Sequence, residues 1–434
     1  MFNKTTIETA ASGLVGFTHS YHPFYARLTT ALQSSSSGYY VNALPGVTFD
    51  VIQKTIYDTV KSVPLIVGEY YEILSVDGGA SFTSVGASAN TVGVVFAATG
   101  TSPTWGGGEL RLVSCRTYLA SIYNQELQRL VHEFTQSAKA KLGLKEILSN
   151  QSVVNGVCKR NEKVTKSGRF IGYLLNPMAS PNVVSRITQI GFMSDSVQTI
   201  PIYLYETSRN AALKTTNIST ADADTMTWKA TTQLASYDWV ISHDSLNGGS
   251  GQQWLIGYFE EDMKSASAYK HEFDDASRHE AFRVYGRYLG VTPVAIPADK
   301  LNGTNIPDND NLEGYACDDI AGFYFKFNVS CDITNVLVDN IAVFARPLQH
   351  AIAIRILEDA IRSGSDGIHN AVKDANLGKW QEHANVLKGQ LYGGYDSNGV
   401  YHRGMMQNLT MDFSDIDKVC LKKKDTVLTV KWAL

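Results

Sequence analysis

Basic residues are too few for a nucleic-acid protein. The chain of 434 residues carries 38 Lys and Arg against 42 Asp and Glu, a formal net charge of −4, whereas proteins that neutralise phosphates show a basic surplus. Nucleic acid is therefore not an expected partner. Charge of either sign is scarce: charged residues make up 18%, below the roughly 25% of ordinary soluble domains. Cysteine is sparse as well. Cys115, Cys158, Cys317, Cys331 and Cys420 include no C-x-x-C pair, which argues against a zinc knuckle or a redox motif. An odd, scattered set reads as reduced thiols made in a cytoplasm. No run approaches the roughly 20 apolar residues that span a bilayer. The start, MFNKTTIETAASGLVGF, lacks the apolar core of a secretion signal. The expectation is a soluble protein with no membrane partner.

What is abundant is tyrosine, at 22 residues, together with Ser, Thr, Asn and Gly. Low charge with many Tyr and small polar residues suits β-structure and large, wet subunit interfaces. Apolar residues at three- and four-residue steps predict a helix over Tyr118–Leu142, through Leu119, Ile122, Tyr123, Leu127, Leu130, Val131 and Phe134. A second is predicted over Arg346–Gly364, with Pro347 near its start and Gly364 at its end. A third covers His369–Leu391, weakened at Gly378, and a shorter one starts at Val47. In Tyr324–Thr334 the residues Phe325, Phe327, Val329, Cys331 and Ile333 alternate with Tyr324, Lys326, Asn328, Ser330 and Asp332, the period of a strand with one buried face. Further short runs rich in β-formers (SRITQIGFM, IPIYLYET, DWVISHD, WLIGYFEEDM) sit between turn clusters, the pattern of an antiparallel sandwich or jelly roll.

The fold class expected is α+β and multidomain, laid out in seven segments along the sequence. An N-terminal arm occupies 1–46, helical scaffold 47–66, a small inserted β-module 67–113, and more scaffold 114–167. A β-sandwich follows over 168–334, then scaffold over 335–404 and a C-terminal strand region over 405–434. The scaffold helices are expected over Val47–Lys61, Tyr118–Asn150 and Asn335–Leu391. The last stretch, DTVLTVKWAL, alternates Val427, Thr429 and Lys431 with Leu428, Val430 and Trp432. Its apolar face needs a cover, expected from a neighbouring subunit or, alternatively, from a strand of the same chain.

Candidate sites are few. His271–Glu280 gathers two His, two Asp and two Glu; on a helix Asp275 would share a face with His271 and with His279. Metal needs three or four convergent ligands, and a solvated polar stretch is the preferred reading. Asp308, Asp310 and Glu313 within Pro307–Asp319 put oxygens at calcium-loop spacing, but the EF-hand Gly and final Glu are missing. Asn247–Gln253 lacks the Lys-Ser/Thr of a phosphate loop, and neither G-x-S-x-G nor H-E-x-x-H occurs. Trp228, Trp239 and Trp254 would form a sugar-stacking platform if exposed and coplanar, whereas buried rings mean core. Lys422, Lys423 and Lys424 read as a solvated turn. No catalytic, cofactor-binding or metal residue is assigned, no cofactor is expected, and the protein is read as not an enzyme.

One segment has a more specific signature. Between helical stretches lies YYEILSVDGGASFTSVGASANTVGVVFAATGTSPTWGGGEL. It resembles a small β-module grafted into structural proteins of tailed bacteriophages, with an aromatic Y-x-I strand and then F-T-x-x-G-A-x-x-N-x-x-G-x-x-F-x-A-T-G. Here those positions are Tyr71, Ile73, Phe82, Thr83, Gly86, Ala87, Asn90, Gly93, Phe96, Ala98, Thr99 and Gly100. ASGLVGF and SSSSGYYVNALPGVTFDVI are similar to the opening of phage virion proteins in which an arm precedes a helix. The resemblance covers about a tenth of the chain and transfers no catalytic residue. It implies a virion structural subunit made in the host cytoplasm, a homo-oligomeric ring component of neck or tail whose partners are other virion proteins. A host-glycan-binding adhesin using the sandwich is the alternative.

Overall fold

The computed structural model describes residues 2–56, 59–142, 146–153, 162–178, 180, 182–207, 211–230, 239–243, 253–272, 283–297, 300–301, 312, 314–317, 319–365, 370–395, 398, 400–413, 420 and 427–429. It combines helices with antiparallel sheets, an α+β chain. Two compact units emerge. One, the helical unit, is built from Lys4–Lys141, Val336–Phe413 and Thr426–Leu434; the other, the sheet unit, from Met1–Asn3, Leu142–Asn335 and Ser414–Asp425.

In the helical unit the strongest periodicity gives the helix Arg116–Leu142, which buries Leu119, Ile122, Leu127, Leu130, Val131 and Phe134. Ala345–Ser365 and Asn370–Tyr392 follow and pack on one another. The latter runs unbroken through Gly378, around which a side chain would meet nothing. Phe134 meets Phe344 edge-on at 5.6 Å and stacks on Phe413 at 6.3 Å, so one helix gathers rings from distant chain segments.

Several expectations change here. The first scaffold helix, expected over Val47–Lys61, spans Phe49–Ile56, and Thr59–Val60 is already a strand. The helix expected to reach Asn150 stops at Leu142, and Glu146–Ser152 is a strand of the sheet unit. The scaffold expected over Asn335–Leu391 is divided into Thr334–Asp339, Ala345–Ser365 and Asn370–Tyr392. The N-terminal segment, expected as an arm, packs within the helical unit from Lys4 onward. It forms the short helices Lys4–Ala10, Pro23–Ala26 and Thr30–Gln33 and buries Ile7, Val15, Phe17, Phe24 and Val41 within its own unit. Gln349 Nε2 donates to the Tyr40 carbonyl at 2.7 Å, and the Tyr123 hydroxyl donates to that of Ala11. Those apolar side chains find cover on their own helices. At the other end, Val427–Thr429 pairs antiparallel with Thr410–Asp412 of the same chain, the alternative to a neighbouring subunit. Residues 430–434 lie outside the described residues.

The small β-module is a four-stranded sheet in the order Thr59–Val60, Glu109–Leu112, Tyr70–Ser75, Val95–Ala97. Its own core contains Tyr71, Ile73, Phe82, Phe96 and Leu110. The module therefore begins before residue 67, because Thr59 and Val60 pair with Arg111 and Leu110.

The sheet unit carries two five-stranded antiparallel sheets. In the first, Thr227–Ala230, Val183–Phe192, Phe323–Cys331 and Glu146–Ser152 lie side by side, and Val240–Ser242 also pairs with Val183–Phe192. The second runs Leu289–Pro297, Arg169–Pro177, Trp254–Phe259, Thr199–Glu206, Lys214–Ser219. Rings of the two sheets meet: Tyr173 lies 5.4 Å from Phe325, and Tyr258 lies 5.0 Å edge-on to Phe192. The Tyr173 and Tyr258 hydroxyls donate to the carbonyls of Phe323 (2.8 Å) and Ala321 (3.0 Å), so neither of these two tips is buried unpaired. Phe325, Phe327 and Val329 are fully buried while Lys326 and Asn328 are not, as the alternation predicts, but Tyr324 and Ser330 on the other face are buried too.

Cys331 and Cys420, 89 residues apart, form a disulfide, so the five cysteines are not all reduced. The fold brings together what no local spacing advertises. Cys115 carries a buried free thiol, and Cys158 lies outside the described residues.

Candidate functional site

The phage-like motif is built of fold determinants. Phe82 is buried against Phe96 at 6.5 Å and Trp105 at 5.7 Å. Asn90 accepts from the Phe82 amide at 3.1 Å and donates to the Ala80 carbonyl at 2.6 Å, tying down the loop between strands. Gly86 has φ +108°, and a Cβ there would come within 2.5 Å of the Ala97 carbonyl oxygen; only glycine fits. Thr99 N–H donates to the Val85 carbonyl at 2.9 Å. These positions hold the module together.

The module's two ends meet. Val113 N–H donates to the Tyr70 carbonyl at 2.8 Å, and Tyr70 N–H donates to Ser114 Oγ at 3.1 Å. The buried Glu69 carboxylate accepts from Ser114 Oγ and, at 2.8 Å, from Thr117 N–H in the first turn of Arg116–Leu142. There it satisfies an orphan helix donor and faces the positive end of the helix dipole.

The tryptophans do not make a platform. Trp239 and Trp254 are 3% and 5% exposed. Trp228 is 37% exposed, but its ring lies on the Gly191 backbone, where a Cβ would meet it at 2.9 Å, and Lys326 Nζ sits 4.5 Å from the ring centroid. A ring covering a strand glycine is a sheet-stabilising device.

Of the polar clusters, His271 and Glu272 lie on a short strand paired with Ile320 and Asp319, while Asp275, His279 and the rest of 273–280 fall outside the described residues. So do Asp308, Asp310, Glu313, residues 247–252 and Lys422 to Lys424. Among the described residues no group of three or more His, Cys, Asp or Glu converges as metal ligands, and no helix is long and apolar enough to cross a membrane.

One pair has the outline of a catalytic dyad. Ser185 Oγ lies 2.8 Å from His243 Nε2, and His243 Nδ1 donates to the Met178 carbonyl at 3.1 Å. That bond fixes the tautomer in which Nε2 accepts from the serine. Yet Ser185 is 0% and His243 2% exposed, so a substrate has no access to the hydroxyl. Burial also holds the imidazole down to about 4, against an ordinary 6.5. The pair is core.

The concavity with an unusual lining lies in the helical unit and was not anticipated from sequence. An open groove of about 720 Å³ runs between the start of Ala345–Ser365, the end of Asn370–Tyr392 and the hairpin of Gly393–Tyr395 with Tyr401–Arg403. Arg346, His402 and Arg403 line it together with Tyr395, Val386 and Leu409, and the described lining includes no Asp or Glu. The signal available was GGYDSNGVYHRG, two Gly-flanked aromatic runs around an Asn-Gly turn. His350 sits beneath: Nδ1 donates to the Arg346 carbonyl at 3.0 Å, and Nε2 lies 3.0 Å from the Gln390 side-chain amide. Burial lowers its basicity. No known protein family, curated protein or solved structure matches the chain.

Proposed function

We propose that the chain is a structural subunit of a tailed-bacteriophage particle, a neck or tail component that assembles as a homo-oligomeric ring alongside other virion proteins. The observation that carries this reading is the β-module. Several of its phage-like motif positions build its core and turns, and it lies in the chain between Phe49–Ile56 and Arg116–Leu142, with Tyr70 and Val113 hydrogen-bonded. We read the two antiparallel sheets with their shared aromatic rings as a β-sandwich of jelly-roll type. Ring closure gains binding energy by repeating one interface, with no reactive group required. The glycan-adhesin alternative lacks an exposed, coplanar set of Trp rings among the described residues.

Sedimentation velocity and negative-stain electron microscopy of the purified chain test the reading. A closed ring, formed alone or on addition of the other structural proteins of the particle, is expected. A monomer under both conditions overturns it.

A further inference from the structure

The groove in the helical unit combines two features that packing does not require. Arg346 and Arg403 are exposed, and neither pairs with a carboxylate among the described residues. That is notable in a chain where acidic residues outnumber basic ones, 42 to 38. Beside them the lining is apolar: Leu409 is buried, Val386 is 54% exposed and Tyr395 is 74% exposed. Single exposed arginines are ordinary surface. Two guanidiniums on one concave, partly apolar volume whose described lining holds no acid are a complementary surface for an anion that carries aliphatic groups.

The walls are held in place. His350 links the Arg346 backbone to the Gln390 side chain, and Gln407 Nε2 donates to the Tyr392 carbonyl at 3.0 Å. A pre-formed groove loses less entropy on binding.

We propose that this groove binds an acidic peptide segment of a partner protein. Its carboxylates pair with Arg346 and Arg403, and its aliphatic side chains lie against Val386 and Leu409. Nucleic acid fits less well: two arginines make few phosphate contacts, and sugar and phosphate gain nothing from valine and leucine walls. The proposal concerns the groove alone and does not require a phage particle.

The test is fluorescence anisotropy on the full chain with a short fluorescein-labelled peptide of Glu, Leu and Gly. Parallel probes are the same peptide with Gln for Glu, the same with Ser for Leu, and labelled oligothymidylate. The Glu–Leu peptide should bind, and both altered peptides should bind about tenfold more weakly. Arg346→Ala and Arg403→Ala should each weaken the first peptide about fivefold. Both positions are exposed, and circular dichroism checks that the variants stay folded. The proposal is overturned by failure of the Glu–Leu peptide to saturate, by equal binding of the Gln peptide, by unchanged affinity in both arginine variants, or by tighter binding of oligothymidylate.

Discussion

Glu69 Oε1 accepts the backbone N–H of Thr117 at 2.8 Å, so a residue just before the β-module's second strand caps the helix that follows the module. The same carboxylate takes the Ser114 hydroxyl. Glu69→Ala should destabilise the helical unit by about 1–3 kcal/mol, since it leaves Thr117 N–H and Ser114 Oγ without their acceptor in a buried place. Ser114→Ala should cost less. Urea unfolding of the two variants and of the double variant measures this, with non-additive losses expected because the residues share one network.

Tyr70 and Val113 are hydrogen-bonded neighbours, so the part of the module between them is removable, with Thr59–Val60 left as an edge without its partner Glu109–Leu112. Excision of Tyr71–Leu112, with a short Gly-Ser linker, keeps Glu69, Ser114 and the helix start. The remaining protein should unfold in one cooperative transition per unit, with Tm within about 5 °C of the parent. Calorimetry showing a broad, non-cooperative transition would mean that the module is part of the surrounding core.

In the strand Phe323–Cys331 two adjacent residues should respond differently. Phe327 is fully buried, 5.3 Å from the Tyr285 ring, and Phe327→Ala should cost about 3–5 kcal/mol. Lys326 points to the other face, and sequence alone predicts a cost within about 0.5 kcal/mol for an exposed position. Its ammonium over Trp228 raises the expected cost of Lys326→Ala to about 0.5–1 kcal/mol. Adding Trp228→Ala to Lys326→Ala should remove that increment, which a double-mutant cycle reads directly.

The Cys331–Cys420 bond closes a loop of 89 residues. On the chain-entropy account, Cys420→Ser should lower stability by about 4.6 kcal/mol. The expected result is a lower urea midpoint for the variant, matched by the reduced wild type. Recovery of both thiols by alkylation of the unreduced, denatured protein would show that the bond does not form.

His243 adds a dependence on acid. Its imidazole, held to about 4 in the folded protein, returns to about 6.5 when the chain unfolds. Above pH 6.5 it is neutral in both states and contributes no slope. As pH falls from 6.5 towards 4 the unfolded chain alone gains a proton, so stability declines, by about 3 kcal/mol in the limit. Comparing unfolding free energies of wild type and His243→Gln between pH 7 and 4 isolates this part of the acid sensitivity. Parallel curves would refute it.

The long helices were legible because three- and four-residue spacing of Leu, Ile, Val and Phe persists over many turns, and Tyr324–Thr334 because one face is apolar and the other is not. Arg169–Pro177 and Leu289–Pro297 escaped notice. Arg169–Pro177 lies between two strands with most of its residues buried, which removes the alternation. Leu289–Pro297 carries Pro293, which its edge position tolerates. The segment EILSNQS read as a polar helix end, although pairing with Phe323–Cys331 makes it a strand; tertiary partners overrode local preference. The groove was illegible for a different reason. Arg346, Val386, Tyr395, His402 and Arg403 come from separate elements, and only the packing of two helices and a hairpin makes neighbours of them.

The helical unit draws on three stretches of chain and the sheet unit on another three, taken in alternation. A ribosome releases these stretches in order, at about 5–20 residues per second. By the time Asn335 has emerged, every strand of both large sheets exists and can pair. The first 141 residues, by contrast, must wait with Phe134 uncovered until Phe344 and Phe413 arrive. Birth order and completion order are thus reversed: the part made first is finished last. For that interval the Phe134 face of the helix lacks the two rings that close over it in the finished unit.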